Sequence, residues 1–257
     1  MAHRRVPRAR RATAPERTFP MNVLIVYAHP EAASFNGAMV QTATRAFTRA
    51  GHAVQVSDLY RMRFDPVSDR RNFTTICDPR YFRQQDEERH ACESHGFAPD
   101  IAAEIDKLFW CDMLVFQFPM WWFGVPAMLK GWCDRVLVAG RVYGRRRRYE
   151  QGTMAGKRAL CALTTGGDAA MFGHDGPGGS IDVLLYPVQH GVFHFLGFVP
   201  LVPFIVWGAA RLTATERAAE LDRYAAELAD IAHRPVIDYR AGHTGSHPLL
   251  PRAGADR

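Results

Sequence analysis

The sequence predicts an α/β fold with a doubly wound, five-stranded parallel sheet and helices on both faces. Short apolar runs alternate with helical patterns five times along the chain. The first run, residues 22–28, is apolar almost throughout, as in a strand that is buried on both faces of a parallel sheet. The chain has no internal repeat, so we expect right-handed crossovers between successive parallel strands.

The predicted elements follow one another from residue 22. The strands are expected at residues 22–28, 53–57, 113–118, 158–165 and 199–206. The helices are expected at residues 36–50, 100–110, 126–138, 181–191 and 214–232. Pro200 and Pro203 indicate that the last strand lies at an edge of the sheet, because proline lacks the N–H that a central strand donates. Residues 58–99 are predicted to be a long irregular connection, such as a lid or a subunit contact.

The charge of the chain is concentrated at its N-terminus. Residues 1–20 contain six arginines and one glutamate, which together account for most of the net charge of +6. We expect a disordered Arg-rich extension over residues 1–20, one folded domain over 21–234, and a second disordered tail over 235–257. Met21 is an alternative start of the folded chain. Because the basic residues lie on a tail and not on a domain face, nucleic acid is not an expected partner.

Several classes of protein are disfavoured by composition. No run of about 18 apolar residues is present, so no membrane span is expected. The five cysteines are odd in number and form no Cys-x-x-Cys pair, which is typical of reduced thiols in a cytoplasmic protein without a metal site.

Ligands of an open α/β sheet bind beyond the carboxyl ends of its strands, so three loops are candidates for a site. After the first strand, the chain runs from His29 into a helix, with Ser34 and Asn36 as N-cap candidates. The N-terminus of that helix could hold a phosphate, although a simple capped helix would look the same. Neither a Gly-x-Gly-x-x-Gly nor a Gly-Lys-Ser/Thr motif occurs here, so a Rossmann dinucleotide site and a P-loop are not expected.

Three consecutive aromatic residues follow the third predicted strand. Trp121, Trp122 and Phe123 lie in a loop that is bounded by Pro119 and Pro126. Exposing all three to water would be unfavourable, so a flat apolar ligand or a partner subunit would explain them, with a packed core cluster as the alternative. After the fourth strand, paired glycines permit close approach of backbone to a ligand and threonines supply hydroxyl groups. These residues are Thr164, Thr165, Gly166 and Gly167.

These stretches resemble the flavodoxin-like NAD(P)H dehydrogenases (quinone). The resemblance covers about residues 21–231, and its most specific part is the block Phe-Pro-x-x-Trp-Phe-Gly-Val-Pro-Ala over residues 118–127. It implies a flavodoxin-like fold and an enzyme that reduces a quinone or a related small aromatic acceptor. The implied cofactor is FAD, and NADH or NADPH is the implied donor. The nicotinamide donor and the quinone would bind one after the other at the same site beside the flavin, in a ping-pong mechanism. The flavin itself would carry the redox chemistry.

The resemblance also implies which residues form the site. His29, Phe35 and Asn36, next to the capping Ser34, would contact the phosphates and ribose of FAD. The stacking wall for its ring system would be formed by Pro119, Met120, Trp121, Trp122 and Phe123. The polar edge of the ring would meet Thr164, Thr165, Gly166 and Gly167, and the adenine end would lie near Arg217 and Leu221. Trp122, Phe123, Gly166 and Gly167 are also the expected contacts of the reacting groups.

The family that this chain resembles is homodimeric, with active sites shared between subunits. By that resemblance Tyr143 and Phe195 would reach the site from the second subunit. The chain departs from the family pattern where mammalian members carry a Tyr and a His, since Phe172 and Gly178 stand at those positions. His174, in the same loop, is a candidate for the missing proton donor, although an exposed loop histidine is an equally good interpretation.

Two further interpretations stay open. Arg145, at the position of another interface Tyr, begins a run of four arginines, which we expect to be a solvated surface loop, with attraction of the phosphates of NADPH as the alternative. The acceptor could instead be an azo or nitro compound, with FMN as the cofactor. A hypothesis from a different class of function is that the chain is not primarily an enzyme but an ancillary regulatory subunit of a potassium-efflux system.

Overall fold

A computed structural model of the 257-residue chain describes residues 20–173 and 176–239. Its strands are β1 (Asn22–Tyr27), β2 (Ala53–Asp58), β3 (Met113–Pro119), β4 (Arg158–Thr164), β5 (Val199–Pro200) and β6 (Phe204–Val206). Its α-helices are α1 (Phe35–Arg49), α2 (Gln84–Ser94), α3 (Pro99–Trp110), α4 (Ala127–Val136), α5 (Ile181–Val188) and α6 (Ala214–Ala229).

The sheet has the order β2-β1-β3-β4-β5, with β6 also paired to β4, and every pairing is parallel. From β1 the chain crosses to β2 on one side and later to β3 on the other. The direction of winding therefore reverses between β1 and β3, which is where open α/β sheets bind ligands. This arrangement confirms the doubly wound parallel sheet that the sequence predicts.

Alternate residues of the central strands pack on opposite faces of the sheet. In β1, Leu24 and Val26 join the core under α3, α4 and α5, whereas Val23 and Ile25 join the core under α1 and α6. All four side chains are fully buried. The apolar character of this strand therefore follows from helices covering both faces, as the continuous run in the sequence predicts.

The expectation of an irregular connection over residues 58–99 is wrong, because α2 lies within it. This helix has little apolar surface and is packed through charged residues instead. The buried carboxylate of Glu87 accepts hydrogen bonds from the backbone N–H groups of Cys77 and Asp78. It also forms an ion pair with Arg70. Glu88, also buried, accepts from the N–H of Ala139. A helix held by polar contacts shows no apolar periodicity in the sequence.

The single strand predicted at residues 199–206 is two short strands, β5 and β6, that both pair with β4 at the edge of the sheet. Pro203, which lies between them, has no N–H to donate, so it separates the two pairings. The edge position that the prolines predict is confirmed.

The predicted start of the C-terminal tail at residue 235 is too early. Val236 forms an antiparallel bridge with Leu201, and the N–H of Ile237 donates to the carbonyl of Pro200 over 2.8 Å. The remainder of both predicted tails, residues 1–19 and 240–257, lies outside the described residues. Within the described part, no helix has the length and apolar character needed to cross a membrane.

All five cysteines are free. Burial raises the pKa of the Cys111 and Cys133 thiols to about 12, so both stay protonated and unreactive near neutral pH. No group of three or more potential metal ligands occurs among the described residues.

Candidate active site

The loops after β1, β3 and β4 meet at the carboxyl edge of the sheet, as expected. The ring centroids of His29 and Trp121 lie 6.0 Å apart, which brings the first two loops together. The backbone N–H of Met120 donates to the carbonyl of Thr164 over 2.8 Å, which joins the second loop to the third. The three predicted segments therefore build one region of the surface.

An open cavity of about 640 Å³ lies at this edge. Of the predicted site residues, Met120, Trp122, Phe123, Thr165, Gly166, Gly167 and Phe172 line it. Three lining residues were missed by the sequence reasoning, namely Asp168, Met171 and Arg211. Asp168 directly follows the Thr-Thr-Gly-Gly segment, so extending that loop by one residue would have found it.

The aromatic loop forms a tight turn that places its two central residues in a strained conformation. The N–H groups of Trp121 and Gly124 each donate to the other's carbonyl at 3.0 Å. Between them, Trp122 has φ 49° and Phe123 has φ 59°, so both are left-handed. Bulky residues rarely adopt that region, which costs about 1–3 kcal/mol at each position.

The side chains of this turn are not part of the core. Trp122 is 96% exposed and Phe123 is 48% exposed, and both line the cavity. The alternative of an aromatic cluster that only packs a core is therefore wrong for these two residues. Exposed aromatics held at a strained turn beside a cavity are suited to stacking against a flat ligand.

The glycine loop after β4 has backbone donors without a described partner. No described residue accepts a hydrogen bond from the N–H of Gly166 or Gly167, and a Cβ added to Gly166 would stand in open space. Thr165 holds the loop in shape, because its hydroxyl donates to the carbonyl of Gly167 over 2.7 Å and accepts from the N–H of Gly208 over 3.3 Å. The loop can thus present free N–H groups to the polar edge of a ligand.

Arg211 anchors the same loop from outside. It lies in a short 3-10 turn after β6, and its guanidinium donates to the carbonyl of Gly166 over 2.5 Å. Arg211 makes no ion pair among the residues that the structure describes, and it lines the cavity together with the acidic Asp168. Its place in the sequence is one indication of this role, since the residues after the last strand lie at the same edge of the sheet.

The position of the missing tyrosine is an apolar wall. Phe172 is buried, stacks on Trp207 with centroids 5.9 Å apart, and meets the edge of Phe123 at 6.4 Å. Gly178 donates its N–H to the carbonyl of Met171, and a Cβ there would come within 3.0 Å of the Met171 side chain. The loop therefore has little room for a histidine at Gly178. The candidate proton donor His174 lies outside the described residues.

The loop after β1 leaves donors free at the N-terminus of α1. Ser34 caps the helix, and its hydroxyl accepts from the N–H of Gly37 over 3.1 Å. The backbone N–H groups of Phe35 and Asn36 donate to no described acceptor. His29 is oriented by the N–H of Glu31, which donates to its Nδ1 over 3.0 Å. Two free N–H groups at the positive end of a long helix fit a phosphate.

The side chain of Asn36 faces inward. It donates to the hydroxyl of Thr164 and accepts from the amide of Gln117, both at 2.9 Å. Gln117 in turn accepts from the phenol of Tyr224 over 3.2 Å. Asn36 and Thr164 are both buried, so the side chains of these two predicted site residues support the loops from below.

Two predicted residues lie away from the cavity, on α6. Leu221 lines a separate groove of about 270 Å³ between α1 and α6, together with Arg45 and Arg49. Arg217 is exposed one turn earlier on the same helix.

Tyr143 and Phe195 meet in a second cavity of about 550 Å³, with ring centroids 5.7 Å apart. None of the residues that line this cavity also lines the first one. The phenol of Tyr143 accepts a hydrogen bond from the amide of Gln85 over 3.1 Å. Burial raises the pKa of Tyr143, so its hydroxyl stays protonated.

Comparison with known proteins identifies relatives across most of the chain. A family model described as "Flavodoxin-like fold" matches residues 21–231. NAD(P)H dehydrogenase (quinone) 1 of Cavia porcellus is 42% identical over 186 residues, which cover 72% of this chain and 68% of that protein. Ribosyldihydronicotinamide dehydrogenase (quinone) of Mus musculus is 41% identical over 210 residues, or 81% of this chain and 91% of that protein. A solved structure of a putative quinone reductase from Klebsiella pneumoniae is 37% identical, with a TM-score of 0.80, and the match covers 86% of this chain and 88% of that one.

Proposed function

The chain belongs to the family with the Flavodoxin-like fold, and we propose that it is a flavin-dependent NAD(P)H:quinone oxidoreductase. The observation that carries this proposal is that two features line one cavity. Its lining includes the exposed rings of Trp122 and Phe123, together with Gly166 and Gly167, whose N–H groups have no described acceptor. Such a lining suits a flat ring system with a polar edge, and the names of the relatives agree with that chemistry.

The flavin that we propose is FAD. The ring system would occupy the cavity, and its phosphates would meet the free N–H groups of Phe35 and Asn36 beside His29. For the adenine end we propose α6, where Leu221 offers apolar surface in a groove and Arg217 lies close by on the same helix. When bound, FAD supplies the two-electron chemistry that links a nicotinamide donor to a quinone acceptor.

The residues of this chain contribute binding, orientation and exclusion of water. Trp122 and Phe123 stack against ligand rings, while the N–H groups of Gly166 and Gly167 fix the in-plane orientation. Phe172 supplies an apolar wall next to Phe123, and a ring bound against this wall would displace water from it. Arg211 holds the glycine loop through the Gly166 carbonyl, and its charge favours electron-rich ligands. His174 is our candidate for proton delivery to the quinone.

We propose that the active enzyme is a homodimer with shared sites. A single chain leaves Trp122 almost wholly exposed and the half-buried ring of Phe195 against Tyr143 in a cavity of its own. A second copy that places Tyr143 and Phe195 over the first cavity would cover these apolar surfaces and complete the quinone site. The free thiols favour a reducing compartment, and we propose the cytoplasm.

The test is to purify the protein, release its flavin by denaturation and measure the mass of the flavin. We expect FAD, in a protein that oxidises NADH or NADPH and reduces a simple quinone. FMN in place of FAD would overturn the cofactor assignment and favour the azo- or nitro-reductase alternative. A protein that binds no flavin when incubated with FAD or FMN would overturn the proposed function.

A further inference from the structure

Three of the four consecutive arginines line the cavity that also contains Tyr143 and Phe195 in its wall. Arg145, Arg147 and Arg148 line it together with Arg89, whereas Arg146 does not. The run is part of an ordered turn, because Gly144 and Arg147 exchange backbone hydrogen bonds at 3.4 and 3.1 Å. The solvated surface loop that the sequence predicts is therefore exposed but has a defined shape.

The positive charge of this cavity is largely uncompensated. Its lining contains four arginines and no acidic residue. Arg89 is paired with Asp86 over 2.7 Å. The guanidinium of Arg147 donates to the carbonyls of Gly140 and Arg141, which are neutral. Arg145 and Arg148 form neither an ion pair nor a side-chain hydrogen bond with any residue that the structure describes.

We propose that Arg145 and Arg148 form an anion subsite for the phosphate groups of NADH or NADPH, so that this enzyme selects dinucleotide donors over phosphate-free ribosyl donors. The inference rests on the proposed function, and on the proposal that the Tyr143–Phe195 cavity of one subunit covers the flavin site of the other. In that arrangement the two free guanidinium groups stand beside the rings that would contact the nicotinamide.

The chemistry of the two groups matches that of phosphate. Guanidinium groups bind phosphate oxygens through paired, charge-assisted hydrogen bonds, and such bonds are roughly twice as strong as neutral ones. The two curated relatives differ in the donor that their names give, one being NAD(P)H and the other ribosyldihydronicotinamide. Because this chain is 42% identical to the first and 41% identical to the second, overall identity does not decide between these donors. A subsite for phosphate would decide it.

The test compares the double variant R145Q/R148Q with R146Q in the flavin-loaded protein. R146Q removes one positive charge from the same exposed run without altering the lining of the cavity, so it reports the effect per charge of a change outside the subsite. Calorimetric titration at low salt would give Kd values for NADP⁺, NAD⁺ and nicotinamide riboside. We expect the double variant to bind NADP⁺ about tenfold more weakly or worse, R146Q to change Kd by less than about twofold, and neither to affect the riboside.

The pattern of losses identifies the phosphate that is bound. An equal loss for NAD⁺ and NADP⁺ supports contact with the pyrophosphate, and a loss for NADP⁺ alone supports contact with the 2′-phosphate. The effect should shrink in 0.5 M salt, because exposed charges are screened. Unchanged binding of NADP⁺ by the double variant, an equal loss for the riboside, or an equal effect of R146Q would each overturn the subsite.

A steady-state measurement separates this proposal from the proposed function. With a dihydronicotinamide riboside as donor, the double variant should reduce quinone at the wild-type rate, while its KM for NADPH rises about tenfold. If the wild-type protein reduces quinone but the wild-type protein and the double variant have the same KM for NADPH, only the subsite proposal fails. If the wild-type protein reduces no quinone with any donor, the proposed function fails and the subsite fails with it.

Discussion

The side-chain amide of Asn36 donates a hydrogen bond to the hydroxyl of Thr164 over 2.9 Å, and this contact joins the start of α1 to the end of β4. Gln117 and Tyr224 extend the contact through the sheet into α6. All four side chains are buried, and each makes at least one of these bonds. The loops of the candidate site therefore rest on a polar network whose members depend on one another.

The first prediction concerns this network. Asn36→Ala should lower the free energy of unfolding by about 2–4 kcal/mol, because the Gln117 amide and the Thr164 hydroxyl lose their partner. Ser34→Ala, which removes the helix cap two residues away and a 3.4 Å hydroxyl contact with Tyr27, should cost about 1 kcal/mol. Urea unfolding of the apoprotein measures both. Equal effects of the two substitutions would show that Asn36 is no more than a local helix residue.

The second prediction separates stability from ligand binding at Trp122. In the isolated apo subunit, Trp122→Gly should raise stability by about 1 kcal/mol, because glycine tolerates φ 49° and a ring that is 96% exposed in one subunit loses no packing within it. The same change should weaken flavin binding by about tenfold or more, because the stacking ring is gone. Trp122→Phe, which retains a ring and the strain, is the control. Thermal melts at a dilution where the apoprotein is monomeric and flavin fluorescence titrations test the pair, and a less stable Trp122→Gly subunit would contradict the account.

The third prediction uses the two glycines after β4 as a matched pair. A Cβ at Gly166 meets open space, so Gly166→Ala should leave stability within about 0.5 kcal/mol of wild type and yet weaken flavin binding. A Cβ at Gly167 would approach the Met171 sulfur to 2.4 Å, so Gly167→Ala should destabilise the protein by about 1–3 kcal/mol. The same melts and titrations apply. Normal flavin affinity in a well-folded Gly166→Ala protein would place the ligand elsewhere.

The fourth prediction concerns pH. Burial lowers the pKa of His52 from its ordinary value of 6.5, and its Nδ1 accepts a hydrogen bond from the N–H of Met21 over 3.1 Å. The unfolded chain therefore takes up this proton at a higher pH than the folded chain does. The contribution of neutral His52 to stability should be complete above pH 6.5 and decline as the pH falls below it.

The control for this effect is His52→Asn, whose side-chain oxygen can accept from Met21 but does not titrate. Chemical unfolding of both proteins between pH 8 and pH 5 would give two stability curves. We expect the wild-type curve to fall more steeply below pH 6.5 than the variant's curve. Parallel curves over the whole range would show that His52 titrates alike in the folded and unfolded states.

Much of the fold could be predicted because burial on both faces leaves apolar runs such as β1. The helix α2 could not, because its buried Glu87 and Glu88 are stabilised by partners distant in sequence. A helix that is buried through charged side chains lacks the apolar periodicity by which a helix is recognised in a sequence. The split between β5 and β6 was signalled by Pro203, but the shared pairing of both with β4 is a tertiary feature.

The candidate site shows the same division. The aromatic turn and the glycine loop are contiguous segments, so the sequence was enough to select them. Arg211 joins the cavity only because β6 ends beside β4 and places the following turn against Gly166. The inward orientation of Asn36 also depends on distant residues, since its partners Gln117 and Thr164 come from two different strands. Such features follow from the packing of strands and helices and have no local motif.

The central claim is that this chain binds a flavin that passes electrons from a nicotinamide donor to a quinone. Anaerobic stopped-flow mixing of the flavin-loaded protein with NADH or NADPH, followed by mixing with a panel of quinones and azo dyes, tests it most directly. We predict rapid loss of the flavin absorbance with the donor and its full return with a quinone, faster than with any azo dye. Bound flavin that is not reduced by either donor, or that is not reoxidised by any quinone, would contradict the account.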